Sequence, residues 1–310
     1  MKDALKAVEF AFLRLGQGRV EMPAKIYLYL DKYRGDFRAM PAYIEGGQTC
    51  SIKWVNVHPG NRFKGLPTVM ATIILSDARN GCPLCIMDGT YITALRTGAA
   101  GAVAAKYLAR KDSSSVALVG CGVQAEAQLL GLAEIFRIKE VKVWGRASKE
   151  ARVFIRKFCS LLKAKMFAAS TVQECLKDSD IVVTTTPSRK PLVKLAWLKE
   201  GVHINAMGAD AKGKQELDPA ILKKALVVVD SWEHARHSGE INVPLSKGQL
   251  TRQDIYADIG EVVMGKKGRR SNKEITVFDS TGLAIQDLAV AHIIYQKARR
   301  LRQGRYLRLI

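Results

Sequence analysis

Two patterns of hydrophobic and polar positions divide the 310 residues of the chain. Residues 4–15 place apolar side chains three and four positions apart, which predicts an amphipathic helix. Residues 26–87 alternate apolar and polar positions in short runs separated by Gly, Asn and Asp turns, which predicts a mainly antiparallel sheet. Its strands are predicted at Ile26–Leu30, Phe37–Ile44, Cys50–Val57, Val69–Leu75 and Leu84–Met87. A helix follows at Thr93–Arg110, where many alanines and glycines indicate close approach to a neighbouring segment.

From Ser113 onward, short apolar runs alternate with helical patterns, which predicts a parallel sheet with helices on both faces. The strands are predicted at Val116–Val119, Val141–Trp144, Lys165–Phe167, Ile181–Thr185, Val202–Ala206, Leu226–Val229 and Ile275–Phe278. A last helix begins near Ile285 and could return to the first domain. We therefore predict an α/β fold with two domains. A Rossmann-type doubly wound sheet covers residues 113–284, and residues 1–112 and 285–310 form a mainly antiparallel α+β domain.

The turn after the first parallel strand carries the strongest chemical signal. Residues 120–125 have the pattern GxGxxA, between a buried strand and a helix. Gly120 permits a tight turn, Gly122 lets the backbone approach a pyrophosphate, and Ala125 lets the helix pack on the strand. The helix N-terminus, at Val123 and Gln124, offers free N–H groups to the phosphates. This turn predicts an NAD(P) site.

The second parallel strand is followed by Gly145, where an NAD enzyme usually carries an acid for the ribose 2′-hydroxyl. Arg146, Ser148 and Lys149 could instead surround a 2′-phosphate, so NADP(H) is favoured over NAD(H). In the alternative interpretation Arg146 stacks on adenine or faces solvent, and NAD remains usable. Further cofactor contacts are expected at the carboxyl ends of later strands, from Thr185, Thr186 and Met207.

Composition and charge narrow the class of protein. Lys and Arg outnumber Asp and Glu by 49 to 29, a formal net charge of +20. These basic residues are scattered, with one dense stretch at Lys297–Arg308, so we interpret them as a solvated surface and expect no nucleic-acid binding. Because no apolar run reaches the ~18 residues of a membrane span and no signal peptide begins the chain, we expect a cytoplasmic protein without membrane contact.

The six cysteines are scattered and show no disulfide pattern. Cys82 and Cys85 form a CxxC, but zinc would need a second pair of ligands, so we interpret both as apolar filling of a strand. His234 and His237 are three positions apart and likewise lack a third ligand. We therefore predict no metal site. His203 lies in an apolar run and is interpreted as a core histidine with satisfied hydrogen bonds.

Several further segments carry a family resemblance. They are Met22–Lys25, Phe37–Pro41, Ile52–Asn56, His58–Asn61, Gly65–Met70, Leu95–Ala100, Thr184–Pro191, Asn205–Leu217, Gly239–Asn242 and Phe278–Asp287. With the Gly120 turn, they resemble the ornithine cyclodeaminase/μ-crystallin family over nearly the whole chain, and within it the archaeal L-alanine dehydrogenases. The resemblance implies a homodimer in which the antiparallel domain binds substrate and forms the dimer interface. The chain begins closer to its first helix than the family pattern does, which could alter the dimer edge.

The resemblance also implies which residues act on the substrate. Lys25 and Arg38 would hold a 2-oxo acid, Lys53 would sit at the carbonyl or imine, and Asp210 would be the acid/base. In the same way, two residues of the small-residue helix would help to hold the cofactor or the substrate anion: Arg96 and Thr97.

The residues themselves leave plainer interpretations open. Burial of Lys53 among apolar strand residues would lower its pKa and suit proton transfer, but a lysine can also extend from a strand edge to water. Asp210 could cap a helix or turn, Arg38 could form a surface ion pair, and Lys25 could be an ordinary strand residue.

The activity implied by the resemblance is the reversible reductive amination of pyruvate to L-alanine with a nicotinamide cofactor. Two enzymatic alternatives are a ketimine reductase acting on cyclic imino acids and an ornithine cyclodeaminase. The cyclodeaminase needs an extra acid for the distal amine of its substrate; the region around Met40 offers no obvious one, although Glu45 is close in sequence. A non-enzymatic alternative is an NADPH-linked ligand-binding protein of the μ-crystallin type.

Overall fold

The computed structural model describes residues 1–307. Its helices are α1 Lys2–Gly16, α2 Thr90–Leu108, α3 Val123–Ile135, α4 Ser148–Phe158, α5 Val172–Leu176, α6 Pro219–Lys224, α7 Trp232–Ser238, α8 Asn242–Ser246, α9 Ile259–Val263 and α10 Ala284–Arg300. Its strands are β1 Val20–Glu21, β2 Ile26–Leu30, β3 Gly35–Ile44, β4 Thr49–Val57, β5 Val69–Asp77, β6 Pro83–Asp88, β7 Ser115–Val119, β8 Glu140–Trp144, β9 Lys165–Ala168, β10 Ile181–Thr184, β11 His203–Ala206, β12 Leu226–Val229, β13 Ile255–Asp258 and β14 Thr276–Asp279.

The first sheet is antiparallel, as the alternating positions predicted. Its order is β1-β3-β4-β5-β6, and β2 pairs with the amino-terminal half of β3. In β4 the side chains alternate, so that Lys53 and Val55 are buried while Ile52 and Trp54 are exposed. One face of this sheet therefore belongs to the interior, and the other presents apolar side chains to the surface.

The second sheet is parallel, with the order β9-β8-β7-β10-β11-β14-β12-β13. The strand order reverses at β7. From β7 the chain continues to β8 and β9 on one side of it, and then crosses to β10 and β11 on the other side. That switch point is where doubly wound sheets bind dinucleotides. The predicted α/β fold class is thus confirmed. Strand β13 was not predicted, because only Ile255 and Ala257 point inward in a polar stretch.

Helix α2 packs closely against α3, the helix of the phosphate turn. A Cβ at Gly98 would lie 2.2 Å from the carbonyl oxygen of Ala127, and a Cβ at Gly131 would lie 2.6 Å from the carbonyl oxygen of Gly98. The small residues of α2 therefore permit the close approach that the sequence predicted.

Helix α10 follows β14 and packs against α1 and the antiparallel sheet. His292 Nδ1 lies 3.0 Å from Thr49 Oγ1 of β4, and Lys297 forms an ion pair with Asp3 of α1. The last helix thus returns to the amino-terminal elements. The exact division of the chain at residues 112 and 284 stays a prediction.

The structure also bears on the expectations for His203, for the CxxC and for membrane-spanning helices. His203 is buried and hydrogen-bonded to Thr276 and Asn205, as predicted. The apolar filling predicted for the CxxC is wrong for Cys82, which is exposed in the turn before β6, whereas Cys85 packs partly against the core. The turn exposes Cys82 because the strand begins one residue later, at Pro83. Among the helices of residues 1–307, none has the length and apolar character needed to cross a bilayer.

Candidate active site

The phosphate turn has the geometry that its glycines predicted. Gly120 has φ +113°, and a Cβ there would lie 2.6 Å from Thr185 Oγ1. Gly122 is the N-cap of α3, and no atom lies within 4 Å of the position of an added Cβ. Val123 is exposed at the start of the helix. The turn therefore leaves open space above free helix N–H groups.

Two buried polar atoms beside this space have no protein partner within residues 1–307. They are Oε1 of Gln124 and Oγ1 of Thr185. Buried polar groups normally have a hydrogen-bond partner, so these two atoms are suited to a polar ligand. Together with the open space at Gly122, they fit a dinucleotide on the turn. Thr186 and Met207 follow β10 and β11 at the same edge of the sheet, on the far side of β7 from β8.

The end of β8 is positively charged. Gly145 is buried, while Arg146 and Ser148 are exposed. Ser148 Oγ accepts a hydrogen bond of 2.9 Å from Arg152, which adds a further cation to this region. A Cβ at Gly145 would lie 2.7 Å from Cys121 Sγ of the phosphate turn. An acidic residue at position 145 would thus require Cys121 to move.

Lys53 occupies the dry interior between β4, α2 and α10. Its side chain is 1% exposed, so the interpretation of a lysine extending to water is wrong. Its Nζ lies 2.7 Å from Oδ2 of Asp287, whose other oxygen, Oδ1, accepts a hydrogen bond of 3.0 Å from Arg96 Nε. Burial lowers the pKa of Lys53 to about 7, assisted by the positive charges of Arg96 and Lys25 and opposed by Asp287. Lys53 is therefore poised to exchange a proton near neutral pH.

Arg96 and Thr97 are buried in α2, where both were predicted to help hold the cofactor or the substrate anion. Arg96 is engaged by Asp287 and by Gln286, and its guanidinium packs against the backbone of Gly282. Thr97 donates its hydroxyl hydrogen to the carbonyl oxygen of Thr93, 2.7 Å away. Arg96 thus lies beside the Lys53 group, whereas Thr97 makes a bond within its own helix.

Arg38 and Asp210 form a second ion pair, between β3 and the turn after β11. Arg38 Nη1 lies 3.0 Å from Asp210 Oδ2, and Arg38 Nε lies 2.7 Å from Asp36 Oδ1. Lys214 contacts the other oxygen of Asp210. Burial favours the neutral carboxyl, but Lys214 and Arg38 together outweigh it and lower the pKa of Asp210 well below its usual range. Asp210 is ionised, and it accepts from side chains rather than capping a helix.

Arg38 is buried, so its ion pair is not a surface pair. Its guanidinium lies over the ring of Tyr27, 5.2 Å from the ring centre. Burial disfavours the charged form, but Asp210 and Asp36 outweigh it and raise the pKa of Arg38. This arginine is a permanent cation at the edge of the site.

Lys25 connects these two groups to the loop after β14. Its Nζ donates to the carbonyl oxygen of Thr281 at 2.7 Å. Burial lowers the pKa of Lys25 to about 8, with Arg38 and Arg96 acting in the same direction and Asp230 opposing them. Asp230 in turn accepts hydrogen bonds of 2.7 Å from the backbone amides of Thr281 and Gly282. The structure therefore brings Lys25, Lys53, Arg38 and Asp210 into one electrostatic neighbourhood.

Two residues of this neighbourhood were missed by the sequence interpretation. Asp287 lies within a segment that carries the family resemblance, but a carboxylate at the start of a helix also suits the helix dipole. Lys214 is four residues after Asp210, and only the turn between them brings the two side chains together. Their roles depend on contacts that the residue pattern does not specify.

A doubly wound sheet with this phosphate turn, facing a buried lysine on a second sheet, is the architecture of a dinucleotide-dependent oxidoreductase. The ornithine cyclodeaminase/mu-crystallin family model matches residues 1–301, and the chain belongs to this family. The predicted family is confirmed.

Three relatives illustrate the similarity. An alanine dehydrogenase of Archaeoglobus fulgidus is 54% identical over 301 residues, which cover 96% of this chain and 91% of the relative. The solved structure of an archaeal alanine dehydrogenase dimer with bound NAD has 51% identity and a TM-score of 0.95, covering 100% of this chain and 95% of that one. The Δ(1)-pyrroline-2-carboxylate reductase of Thermococcus litoralis, solved with NADH and L-proline, has 38% identity and a TM-score of 0.97, covering 99% and 96%.

Proposed function

We propose that the protein is an NAD(P)-dependent amino-acid dehydrogenase that catalyses the reversible reductive amination of pyruvate to L-alanine. The observation that carries this proposal is Lys53, buried with a pKa of about 7 beside Asp287 and close to the cations that a 2-oxo acid needs. A bound nicotinamide supplies the hydride for the reduction and accepts it in the reverse direction. The 54% identity to an alanine dehydrogenase supports alanine as the product.

The substrate carboxylate is held by Arg38 and Lys25. Arg38 offers the planar fork that binds a carboxylate through two hydrogen bonds, and Lys25 adds a second positive charge. In the free enzyme Asp210 occupies part of that fork, 3.0 Å from Nη1. An incoming carboxylate competes with Asp210 for the guanidinium, so substrate binding weakens one of the two contacts that hold the pKa of Asp210 low.

Proton transfer is divided between Lys53 and Asp210. Protonated Lys53 donates a hydrogen bond to the carbonyl oxygen of pyruvate, which favours attack of ammonia at the carbonyl carbon. Asp210 exchanges a proton with the substrate nitrogen. In alanine oxidation its ionised carboxylate accepts a proton from the substrate ammonium, and in reductive amination the resulting acid returns that proton to the amine nitrogen of the reduced product. Loss of water from the carbinolamine requires a proton on its hydroxyl oxygen, which protonated Lys53 supplies.

The assay follows nicotinamide absorbance when purified protein is mixed with pyruvate, ammonium and NADH or NADPH. Rapid oxidation of the cofactor that requires both pyruvate and ammonium is the expected result. The cyclic imino acid Δ1-pyrroline-2-carboxylate is the matched comparison substrate, because the similarity to the T. litoralis reductase favours this second candidate. Turnover with the cyclic imine alone would reject the alanine assignment. Tight NADPH binding without turnover of either substrate would indicate a binding protein. Release of ammonia from ornithine would indicate a cyclodeaminase.

We further propose that NADP(H) is preferred over NAD(H). Gly145 leaves no carboxylate for a ribose 2′-hydroxyl, Arg146 lies just after the end of β8, and Arg152 of α4 donates a hydrogen bond to Ser148. The similar archaeal alanine dehydrogenase was solved with NAD and the T. litoralis reductase with NADH, so this proposal rests on Gly145, Arg146 and Arg152 of the chain alone. The ratio of kcat/KM for NADPH to that for NADH should exceed one and fall about tenfold in Arg146→Ser, which removes one charged contact to a phosphate. A ratio below one in the unmodified enzyme contradicts the proposal.

We propose a homodimer formed through the exposed face of the antiparallel sheet. Ile86 is 63% exposed, and Ile52, Ile74 and Trp54 share its face. Register places Ile52 opposite Ile74 and Ile74 opposite Ile86, so the apolar side chains form a row across three strands. Such a patch is characteristic of an interface. Light scattering should give twice the chain mass, and Ile74→Asp should give monomers. Location in the cytoplasm and the absence of nucleic-acid binding stay predictions from the sequence.

A further inference from the structure

A buried glutamate joins the two turns that follow β10 and β11. Glu216 is 0% exposed. Its Oε1 accepts from the backbone N–H of Thr186 at 2.6 Å and from the Thr186 hydroxyl at 2.7 Å, and its Oε2 accepts from the N–H of Gly208 at 2.9 Å. One carboxylate therefore holds three donors from two different turns.

The two turns are in contact around this carboxylate. A Cβ at Gly208 would lie 2.3 Å from the carbonyl oxygen of Thr186 and 2.4 Å from Glu216 Oε2. Position 208 consequently has to be glycine for the turns to approach each other. The three hydrogen bonds from these turns help to compensate for the burial of the carboxylate, which by itself raises the pKa of Glu216.

Glu216 is itself held by a second buried carboxyl group. The carboxyl oxygens of Glu240 accept from the backbone N–H of Glu216, at 2.9 and 3.0 Å, and Oε1 accepts from that of Leu217 at 2.6 Å. Asp279, the last residue of β14, accepts from the backbone N–H of Glu240 at 2.8 Å and from that of Ile241 at 3.2 Å. Each carboxyl group thus fixes the backbone of the next one.

The position of this series in the sheet suggests what it serves. Across the sheet, β8 lies beside the proposed 2′-phosphate site and β7 carries the phosphate turn, and β10, β11 and β14 follow in that order. A dinucleotide that has its phosphates on the β7 turn and extends toward Lys25 must place its nicotinamide half over the ends of β10 and β11. Those ends carry Thr186 and Gly208.

We propose that Glu216 is a positioning residue for the nicotinamide half of the cofactor, and that Glu240 and Asp279 hold Glu216 in place. This inference rests on the proposed NAD(P)-dependent function. The Thr186 hydroxyl donates its single hydrogen to Glu216 and accepts from the backbone N–H of Ser188 at 3.3 Å, so toward the cofactor it can only accept a hydrogen bond, through its remaining lone pair. It therefore presents a lone pair to a ribose hydroxyl, and the turn is already shaped before the cofactor arrives.

The deciding variant is Glu216→Gln, which keeps the shape of the side chain. A glutamine can satisfy Thr186 or Gly208 but not both, because its NH2 group would face one of the two backbone N–H groups. The matched control is Asp218→Asn, two residues along the chain. Asp218 caps α6 and touches neither turn, and asparagine is an equally good N-cap.

Two measurements separate positioning from a general structural role. The Kd for NADPH and for NADH, from the fluorescence of the bound cofactor, should rise about tenfold in Glu216→Gln and remain unchanged in Asp218→Asn. The KM for the cofactor should rise with it, while the KM for pyruvate changes less than about twofold. A change in the primary deuterium isotope effect with 4-deuterated cofactor should accompany the loss, because the hydride donor is less well placed. Unchanged Kd and isotope effect in folded Glu216→Gln would overturn the proposal.

Two further results keep the test decisive. If Glu216→Gln does not fold, Glu240→Gln replaces it in the test. The cofactor Kd should rise in Glu240→Gln too, but by less, because Glu240 contacts the backbone of Glu216 and not Thr186 or Gly208. In the unmodified protein without cofactor, hydrogen exchange should already show protected amides at Thr186 and Gly208. Free exchange of both amides until NADPH is added would contradict a preformed turn. If no substrate is turned over but these cofactor results hold, the proposed activity fails while the positioning role of Glu216 stands.

Discussion

Two groups in the proposed site have the same charges and behave in opposite ways. In each, one carboxylate lies between two cations: Asp287 between Lys53 and Arg96, and Asp210 between Arg38 and Lys214. The first group is sealed inside the protein, with Asp287 1% exposed, whereas the side chain of Asp210 is 29% exposed.

Burial decides which chemistry each group supports. Around Asp287 the loss of water outweighs the attraction of the carboxylate, so the pKa of Lys53 falls to about 7 and the lysine becomes a proton donor and acceptor. Around Asp210 the two cations outweigh burial, so the carboxylate stays ionised. The comparison teaches that a carboxylate between two cations can accompany a labile ammonium or a stable carboxylate, depending on whether desolvation or the neighbouring charges dominate.

The largest expected effect is on Asp210, the more accessible of the two carboxylates. Asp210→Asn removes the group that we propose exchanges the substrate proton, so kcat should fall by about 10²–10⁴. The side chain of Asp210 is 29% exposed and Arg38 keeps Asp36 as a partner, so the free energy of unfolding should fall by only about 1–3 kcal/mol. Steady-state kinetics measures kcat and urea denaturation measures the free energy of unfolding, both at the same protein concentration. A large loss of stability with normal turnover would reverse the assignment.

The second prediction concerns the stability of the sealed group. Asp287→Ala leaves Lys53 and Arg96 buried without their shared carboxylate, and the free energy of unfolding should fall by about 3–5 kcal/mol. The comparison with Asp210→Ala under identical conditions is essential, because both variants remove a carboxylate between two cations, whereas Asp210 is more accessible and its partner Arg38 keeps Asp36. Equal losses in the two variants would show that exposure does not separate the groups.

The third prediction is a pH shift. If protonated Lys53 polarises the carbonyl, kcat/KM for pyruvate should fall on the alkaline side with a pKa of about 7. The Asp287 carboxylate favours the ammonium form, so Asp287→Asn should lower the pKa of Lys53 and move this limb to more acidic pH. The pH profile of the isosteric variant measures the shift. Movement toward alkaline pH would exclude Lys53 as the titrating donor.

The smallest expected effect is at Lys214. Its charge is the foremost of those that lower the pKa of Asp210, so Lys214→Met should raise that pKa. Alanine oxidation requires ionised Asp210, and the acidic limb of its rate should therefore move toward neutral pH, with a change of only a few-fold at pH 8. Lys212→Met, an exposed lysine of the same turn, is the matched control. An equal shift in both variants would indicate a general charge effect.

Much of the fold could be predicted because it depends on local patterns. The alternation around Lys53 predicted strand β4, and the glycines at 120 and 122 predicted the phosphate turn. Strand β13 was missed because its burial comes from pairing with β12 rather than from its own composition. The exposure of Cys82 was likewise not visible, since the spacing of a CxxC does not show where a strand begins.

The sequence by itself determined the α/β class, the dinucleotide turn and the family, because spacing and glycine positions specify backbone shape. It also singled out Lys53 and Asp210 as residue types suited to proton transfer. Only the tertiary structure decided their protonation, since pKa depends on burial and on charges far away in the chain. Asp287 is 234 positions from Lys53 in the sequence and 2.7 Å from it in the fold. The buried carboxyl groups at 216, 240 and 279 likewise meet only when β11, β14 and their turns are packed side by side.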